Sequence, residues 1–349
     1  IGAAAGVGYT AILLACGPVF YRWLGGRDAV LTEAVGYATV LFCGALLVWL
    51  ANTLASILRG TGNMRVPSLG VFGVAVLQIV VGGVLGLGAG PVPSFGMAGI
   101  ALGHIVATAS GVAFFLWVLG TGRARLTLRW RGLPWRREMF VDILRVGALA
   151  CLSPVQSVLT VLIFTGLVAR LGVAPLAGYG IGQRLEFLLI PIAFGIGVAS
   201  VPMVGMAIGA GDVARARRVA AASGALSALN LAIIGAVVAL APDLWATLFT
   251  QDATVLEHAR QFLRIAGPAF PFYGLGLTLY FAAQGAGKVL GPVLAGTVRL
   301  LLVAGVGWWL ASHGAGAVGY FWLVAVGMVV YGLVTAASVR FAAWGRRSR

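Results

Sequence analysis

The chain has 349 residues, of which 60% are hydrophobic and 9% are charged, and its mean hydropathy is +1.01. A soluble globular domain carries about 25% charged residues, so this composition excludes a water-soluble fold and indicates a protein that lies in lipid. The net charge of +15 would suit a nucleic-acid-binding protein. The basic residues, however, lie at the ends of apolar runs, as charges that set membrane topology do. We therefore expect the lipid bilayer as a partner and no nucleic acid.

Ten apolar runs are long enough to cross a membrane as helices, which requires about 20 residues each. They cover residues 2–22, 32–58, 66–89, 95–119, 138–170, 175–209, 214–240, 253–285, 288–312 and 316–343. This pattern predicts an all-α, polytopic membrane protein with about ten transmembrane helices. Several runs exceed one membrane thickness, so we expect tilts or kinks, at Pro191 and Pro202 in the sixth run and at Pro268 and Pro271 in the eighth.

The loops between the runs alternate in charge. The basic set includes the arginines near 59–65, 123–137 and 215–218, together with the arginines at the end of the chain. The positive-inside rule predicts that these loops and the carboxyl terminus are cytoplasmic. The basic stretch 121–137 is interpreted as a cytoplasmic linker between an N-terminal lobe of four helices, 1–120, and a C-terminal lobe of six helices, 138–349.

Two stretches repeat at a distance of 225 residues: LRGTGNMRVP at 58–67 and AQGAGKVLGP at 283–292. Each combines glycines that permit a tight turn with a proline suited to the first turn of the next helix. The turn residues are Arg59, Gly60, Gly62 and Pro67 in the first copy and Gly285, Gly287 and Pro292 in the second. The repeat predicts two pseudo-symmetric lobes, as parallel repeats do in transporters. Gly287-Lys288 does not continue into a phosphate-binding loop, because Ala282 and Val289 occupy the positions of the required Gly and Ser or Thr.

These two stretches, together with QRLEFLLIPIAFGIGVASVPMVGMAIGAGDVARARR at 183–218, resemble the multidrug and toxic compound extrusion (MATE) family of the flippase-exporter (MOP) superfamily. In the third stretch Arg184, Glu186 and Pro191 match the family pattern, whereas Met206 replaces its usual Gln. The resemblance implies two six-helix lobes around a cavity that opens alternately to each side. It also implies a bacterial inner-membrane protein that exports amphipathic or cationic compounds in exchange for protons or sodium. The ten runs correspond to family helices three to twelve, so we expect the first two of twelve helices to be missing from this chain.

Glu186 is the strongest candidate for the coupling site. It is the acidic residue placed inside an apolar run, where a charge is costly and usually faces a protein interior or an aqueous cavity. The alternative is a structural ion pair, for which Arg299 in the ninth run is a possible partner. Arg184 is only two residues away and faces another side of the helix. Gln183 lies beside the same site.

Gln156 and Tyr273 lie near positions at which the resemblance implies a Glu and an Asp in sodium-coupled members. Neither is acidic here, so we expect a proton rather than sodium as the coupling ion. Polar residues in other runs are weaker candidates for the substrate cavity: Asn52, Thr53, Gln78, Asn230 and Arg299. Each is as well explained by hydrogen bonds within the bundle. His104 is interpreted as a packed, satisfied histidine.

We find no ATPase motif and no catalytic or metal-binding motif in the sequence, and we expect no enzyme activity and no cofactor. The sequence therefore predicts a monomeric secondary active transporter of drug-like compounds. The alternative is a flippase for lipids or lipid-linked oligosaccharides from the same superfamily. A flippase needs a more cationic cavity for a pyrophosphate, and Arg184 and Arg299 are the basic residues expected at depth.

Overall fold

The computed structural model describes residues 2–23, 28–88, 93–122 and 137–344, and all regular elements in these ranges are helices. The chain divides into two compact units, residues 1–136 and 137–349. The prediction of an all-α membrane protein is confirmed. Most of the basic stretch 121–137 lies outside the described residues, so its role as a linker stays a prediction.

The first unit contains five helices. They are α1 (Gly2–Trp23), α2 (Asp28–Cys43), α3 (Ala45–Gly60), α4 (Arg65–Leu87) and α5 (Gly96–Gly120). The second predicted run is a pair of helices, α2 and α3, which bend by 48° about Gly44. Hydropathy alone does not reveal this bend, because both halves are equally apolar.

The second unit contains eight helices. They are α6 (Arg137–Ala169), α7 (Val173–Gly209), α8 (Val213–Leu240), the short α9 (Asp243–Ala246), α10 (Ala253–Ala266), α11 (Phe270–Gly285), α12 (Leu290–Ser312) and α13 (Ala317–Phe341). A 3₁₀ turn, Gly267–Ala269, joins α10 to α11. At Pro268 and Pro271, where a kink was expected, the structure has this 3₁₀ turn, and Ala253–Gly285 remains one span. In contrast, α7 remains helical through Pro191 and Pro202.

Within the described ranges, eight helical segments are long and apolar enough to cross a membrane, with α10 to α11 (Ala253–Gly285) counted as one; the number is nine if the α2–α3 pair also counts as one span. The first predicted run contributes a shorter apolar helical stretch, Gly2–Gly17. Each of the ten predicted runs is helical, which agrees with the predicted count to within the short first helix.

Glycines allow the helices of each unit to approach closely, as is common in membrane bundles. In the first unit, a Cβ atom added to Gly103 of α5 would collide with the backbone of Gly82 on α4. In the second unit, Gly235 of α8 lies against Gly267 of the 3₁₀ turn, and a side chain on either would meet the other's carbonyl oxygen. Both contacts are between backbones, so a neighbouring side chain cannot relieve a collision by changing rotamer.

The two copies of the repeated stretch adopt the same turn. Gly62 and Gly287 have left-handed backbone angles, with φ of 81° and 66°, and their amides donate to the carbonyls of Arg59 and Gln284 at 2.9 and 3.0 Å. Pro67 and Pro292 are each the third residue of the following helix. Glycine adopts this backbone conformation without the steric cost that other residues incur.

An aromatic core fixes α7 against α10 and α13 in the second unit. The ring of Phe262 on α10 meets Tyr179 of α7 at 5.5 Å and Phe321 of α13 at 5.3 Å, both edge to face. Phe262 is fully buried, and Gly182 of α7 provides the space for its ring. This packing holds the face of α7 that carries the candidate site.

We expect Gly103→Leu to lower the free energy of unfolding by about 1–3 kcal/mol, because the larger side chain forces α4 and α5 apart. Gly83→Ala is the matched control on α4, since no atom lies within 4 Å of the added methyl group. It should be neutral or stabilising by up to about 1 kcal/mol. Melting temperatures of the purified protein in detergent would measure both effects. Equal melting of Gly103→Leu and wild type would contradict the close contact.

Candidate functional site

One face of α7 carries polar side chains into the interior of the second unit. Tyr179, Gln183 and Glu186 are spaced four and three residues apart, so they lie on the same side of the helix. Tyr179 and Gln183 are buried, and Gln183 lies beside Tyr179. Glu186 is half-buried, and its Oε1 atom is buried without a hydrogen-bond partner.

Glu186 differs from the other acidic residues whose side chains the structure describes. All of those are exposed: Glu138, Asp142, Asp212, Asp243, Asp252 and Glu257. A carboxylate oxygen that is shielded from water and unpaired is costly, because neither solvent nor protein compensates its charge. Such a group can be neutralised by a proton, a metal cation or a basic side chain.

The basic residue that acts on Glu186 is Arg299 of α12, which interacts with it electrostatically. Arg299 is 8% exposed, and its Nε has no hydrogen-bond partner. Its guanidinium instead lies over two tyrosine rings, 5.5 Å from the centre of Tyr273 on α11 and 5.8 Å from that of Tyr331 on α13. A cation desolvated over an aromatic face is stabilised by about 2 kcal/mol.

Glu186 and Arg299 do not form a close ion pair. Among the described residues, a carboxylate and a basic nitrogen come within 4.0 Å only at Asp243 and Arg260, an exposed pair. The structural ion pair considered from the sequence is therefore present only as a longer-range interaction. We call Glu186, Arg299, Tyr273 and Tyr331 the interior cluster. It comprises one acid and one base, each with a buried polar atom that lacks a hydrogen bond.

Gln156 lies on α6, next to α12. Its Nε2 donates to the hydroxyl of Thr297 at 2.8 Å, while its Oε1 is buried without a partner and lies against Gly296. Thr297 is two residues from Arg299, so α12 contributes both to this contact and to the interior cluster. Gln156 and Tyr273, the two positions that the family resemblance singles out, thus both contact residues at the middle of α12.

The weaker cavity candidates bond mainly within their own helices. Asn52, Thr53 and Asn230 donate to the carbonyls of Val48, Trp49 and Leu226, each four residues earlier. These bonds satisfy the side chains locally and point to no cavity.

Gln78 and His104 connect α4 to α5. Gln78 Oε1 lies 3.0 Å from His104 Nδ1. This agrees with the interpretation of His104 as a satisfied histidine.

Arg184 corrects one expectation. It was expected at depth, but its side chain is exposed and its guanidinium lies 4.9 Å from the ring centre of Phe249. Side chains two residues apart on a helix point in directions about 200° apart. Arg184 therefore points away from the interior while Glu186 points into it. Of the basic residues in the described ranges, Arg299 alone is buried.

Sequence reasoning missed Tyr331 and Tyr179. Both lie in apolar runs, where a tyrosine is easily interpreted as a packing residue. A buried tyrosine usually finds a polar partner for its hydroxyl, so a tyrosine inside a span was the available signal.

We expect Arg299→Met and Glu186→Gln to be non-additive. Each single change leaves the remaining charge without its oppositely charged partner. The double variant should therefore lose less stability than the sum of the two single losses, by about 0.5–3 kcal/mol. A thermal-melting double-mutant cycle in detergent would measure this coupling. In the control cycle, Glu257→Gln replaces Glu186→Gln, and the effects should add because Glu257 is exposed on α10. Additive costs in both cycles would contradict an interaction within the interior cluster.

Comparison with known proteins agrees with the resemblance to MATE transporters that the sequence motifs indicate. The family model described as MatE matches residues 150–309, which extend from α6 into α12. The probable multidrug resistance protein NorM of Thermotoga maritima is 26% identical over 263 residues, which are 75% of this chain and 56% of that protein. The chain spans less than two thirds of the length of the curated relatives it matches.

Two solved structures have the same fold. One is the outward-facing conformation of a multidrug resistance MATE family transporter of the MOP superfamily, with a TM-score of 0.88 and 22% identity. The other is a MOP superfamily transporter from Pyrococcus furiosus, with a TM-score of 0.89 and 21% identity. Each likeness covers 97% of this chain and 76% of the solved chain. The matched family model, the named relatives and the solved structures thus agree in making this chain similar to MATE transporters of the MOP superfamily.

Proposed function

We propose that this chain acts in secondary active efflux of amphipathic or cationic compounds, with Glu186 as the group that exchanges the coupling cation. The observation that carries the proposal is the unpaired, buried Oε1 of Glu186 in the second unit. A carboxylate that no arginine holds in a close pair is free to accept a cation and to release it again. A locked ion pair would lack this property.

The relatives support a transport function. They are named multidrug resistance protein NorM and multidrug export protein MepA. Their bacterial origin supports a plasma-membrane location, with the basic loops and the carboxyl terminus on the cytoplasmic side by the positive-inside rule.

Arg299 gives the cluster a means of responding to the cation. While Glu186 is ionised, its charge and that of Arg299 attract each other across the interior. When a cation neutralises Glu186, that attraction is lost and Arg299 is left with its two tyrosine rings. Conformations that differ in the separation of Glu186 from Arg299 would then change in relative stability, which is how a ligand shifts an equilibrium between two states. Alternating access requires such a shift.

The coupling ion that we favour is the proton. Sodium is a hard cation that prefers several oxygen ligands, including carboxylates, by analogy with other hard cations. Gln156 and Tyr273 supply no charge at the two positions that the resemblance singles out, and Gln156 is already bonded to Thr297. One carboxylate is enough to bind a proton.

A lipid or lipid-linked oligosaccharide flippase is less well supported. In the Pyrococcus furiosus transporter, the reverse polarity of the binding pocket suggests a different function, so the fold alone does not decide the substrate. A pyrophosphate would need several buried basic groups. With Arg184 exposed, Arg299 is the buried base of the described residues, and it is engaged with tyrosine rings.

We expect cells that express the full-length protein to expel a cationic dye such as ethidium, and to stop when the proton gradient is collapsed by a protonophore. Collapse of the sodium gradient alone should leave efflux unchanged. Dye fluorescence in cells without other exporters would measure both. Efflux that survives both treatments would refute cation-coupled antiport.

We expect Glu186→Gln to reduce coupled efflux to the background of cells without the protein, because the amide is similar in shape but cannot bind the coupling cation. Glu257→Gln is the matched control, since Glu257 is exposed and accepts a bond from Gln261 that a glutamine could also accept. Both variants should reach wild-type levels in the membrane. Unchanged efflux in Glu186→Gln would remove Glu186 from the mechanism.

A further inference from the structure

Two apolar grooves flank the first half of α8 in the second unit. The first, of about 680 Å³, lies between α8, α11 and α13 and contains Ala221 and Leu275. The second, of about 650 Å³, lies between α7 and α8 and contains Ala222 and Met203. Small side chains on α8 form the ridge between the grooves, so both remain open.

Arginines line both grooves at the start of α8. Arg218 borders both of them, Arg215 borders the second, and Arg340 borders the first. All three side chains are exposed. The acidic residue at this end, Asp212, is occupied as the cap of α8, where its Oδ1 accepts from the Arg215 amide at 2.8 Å.

Arg217 has a different role. Its Nη1 and Nη2 donate to the carbonyls of Arg340 and Ala342 at 2.7 and 2.8 Å, and its guanidinium lies 5.9 Å from the ring centre of Trp344. These contacts attach α8 to the end of α13 and so hold the two walls of the first groove together. Arg340 is kept beside Arg218 by the same connection.

The ridge continues into a surface suited to lipid. Beyond the grooves, α8 exposes Leu229, Ile233 and Val237, which are 47–59% exposed. This face is apolar apart from Asn230, whose amide is bonded to the Leu226 carbonyl, and it belongs in the hydrocarbon region of a bilayer. The arginines then lie where the hydrocarbon region gives way to lipid headgroups, since long basic side chains place their charges at that level.

We propose that one anionic diacyl phospholipid binds astride α8, with its phosphate on Arg218 between Arg215 and Arg340 and one acyl chain in each groove. Charge and shape both favour this occupant. Basic pockets between transmembrane helices recognise anionic headgroups, and the paired grooves match two chains that diverge from one headgroup. An amphipathic cation fits less well, because the three arginines at the rim of the grooves would repel its charge. The site is separate from the interior cluster, so its existence does not depend on the proposed efflux.

The test is native mass spectrometry of the full-length protein in detergent, titrated with phosphatidylglycerol and, separately, with phosphatidylcholine. Wild type should bind one phosphatidylglycerol more tightly than phosphatidylcholine. Arg218→Gln should weaken that binding about fivefold, the contribution of one basic residue near a membrane surface. Arg65→Gln is the matched control, because Arg65 is an exposed arginine in another basic loop and lines neither groove.

Groove-filling variants test the acyl chains without changing charge. Ala221→Phe should block the first groove and Ala222→Phe the second, and both positions are exposed, so the protein should fold normally. Each variant should weaken phosphatidylglycerol binding yet retain single-chain lysophosphatidylglycerol. The double variant should lose both lipids.

Four results would overturn the proposal. They are unchanged binding in Arg218→Gln, an equal loss in Arg65→Gln, equal affinity for phosphatidylcholine, and normal lipid binding in the groove-filling variants. Alternatively, ethidium could displace bound phosphatidylglycerol at concentrations near its own dissociation constant, while phosphatidylglycerol binds no more tightly than phosphatidylcholine. That result would assign the grooves to a drug-like cation and would also refute the lipid site. Efflux measurements on the same variants test the proposed transport function, and their result does not decide whether the lipid site exists.

Discussion

The bilayer offers no hydrogen bonds to a peptide backbone, and the rest of this structure depends on that constraint. Every N–H and C=O at membrane depth must be satisfied within the protein, which favours helices throughout the spanning region. Lipid chains are also as apolar as leucine, so the hydrophobic effect drives association between helices only weakly. Close contact must replace it. The approaches of Gly103 to Gly82 and of Gly235 to Gly267 show how this chain achieves such contact.

The same lack of hydrogen-bonding solvent makes a buried charge costly unless the protein compensates it. Arg299 is placed where water cannot solvate it, and two tyrosine rings replace part of the lost hydration. The remaining compensation comes from Glu186 across the interior. Because the two groups do not touch, each stays available to a third group. A site of this kind sacrifices stability that a closer pair or an apolar core could provide, which is typical of functional positions in membranes.

Spans were predictable from the sequence because two independent signals mark them. Apolar length and flanking arginines place the fifth run at 138–170, and α6 extends from Arg137 to Ala169. The bend at Gly44 was not predictable, since hydropathy does not change there and the contact with Ile105 comes from another helix. Glu186 stood out because an acid in an apolar run is rare. Its relation to Tyr331 depends on how α7, α12 and α13 pack, and a single sequence does not contain that information. Arg184 shows the opposite case. It was expected to be buried because it lies two residues from Glu186, but the helix directs it to the surface.

The 3₁₀ turn between α10 and α11 also affects how the second unit can move. Residues 267–269 form a 3₁₀ turn inside a span, where Pro268 and Pro271 lack the amide hydrogens of a regular helix. Gly235 of α8 touches Gly267 directly. If α11 separated from α8 during a transport cycle, this close backbone contact would be lost. This contact therefore favours movement of α8 and α11 together.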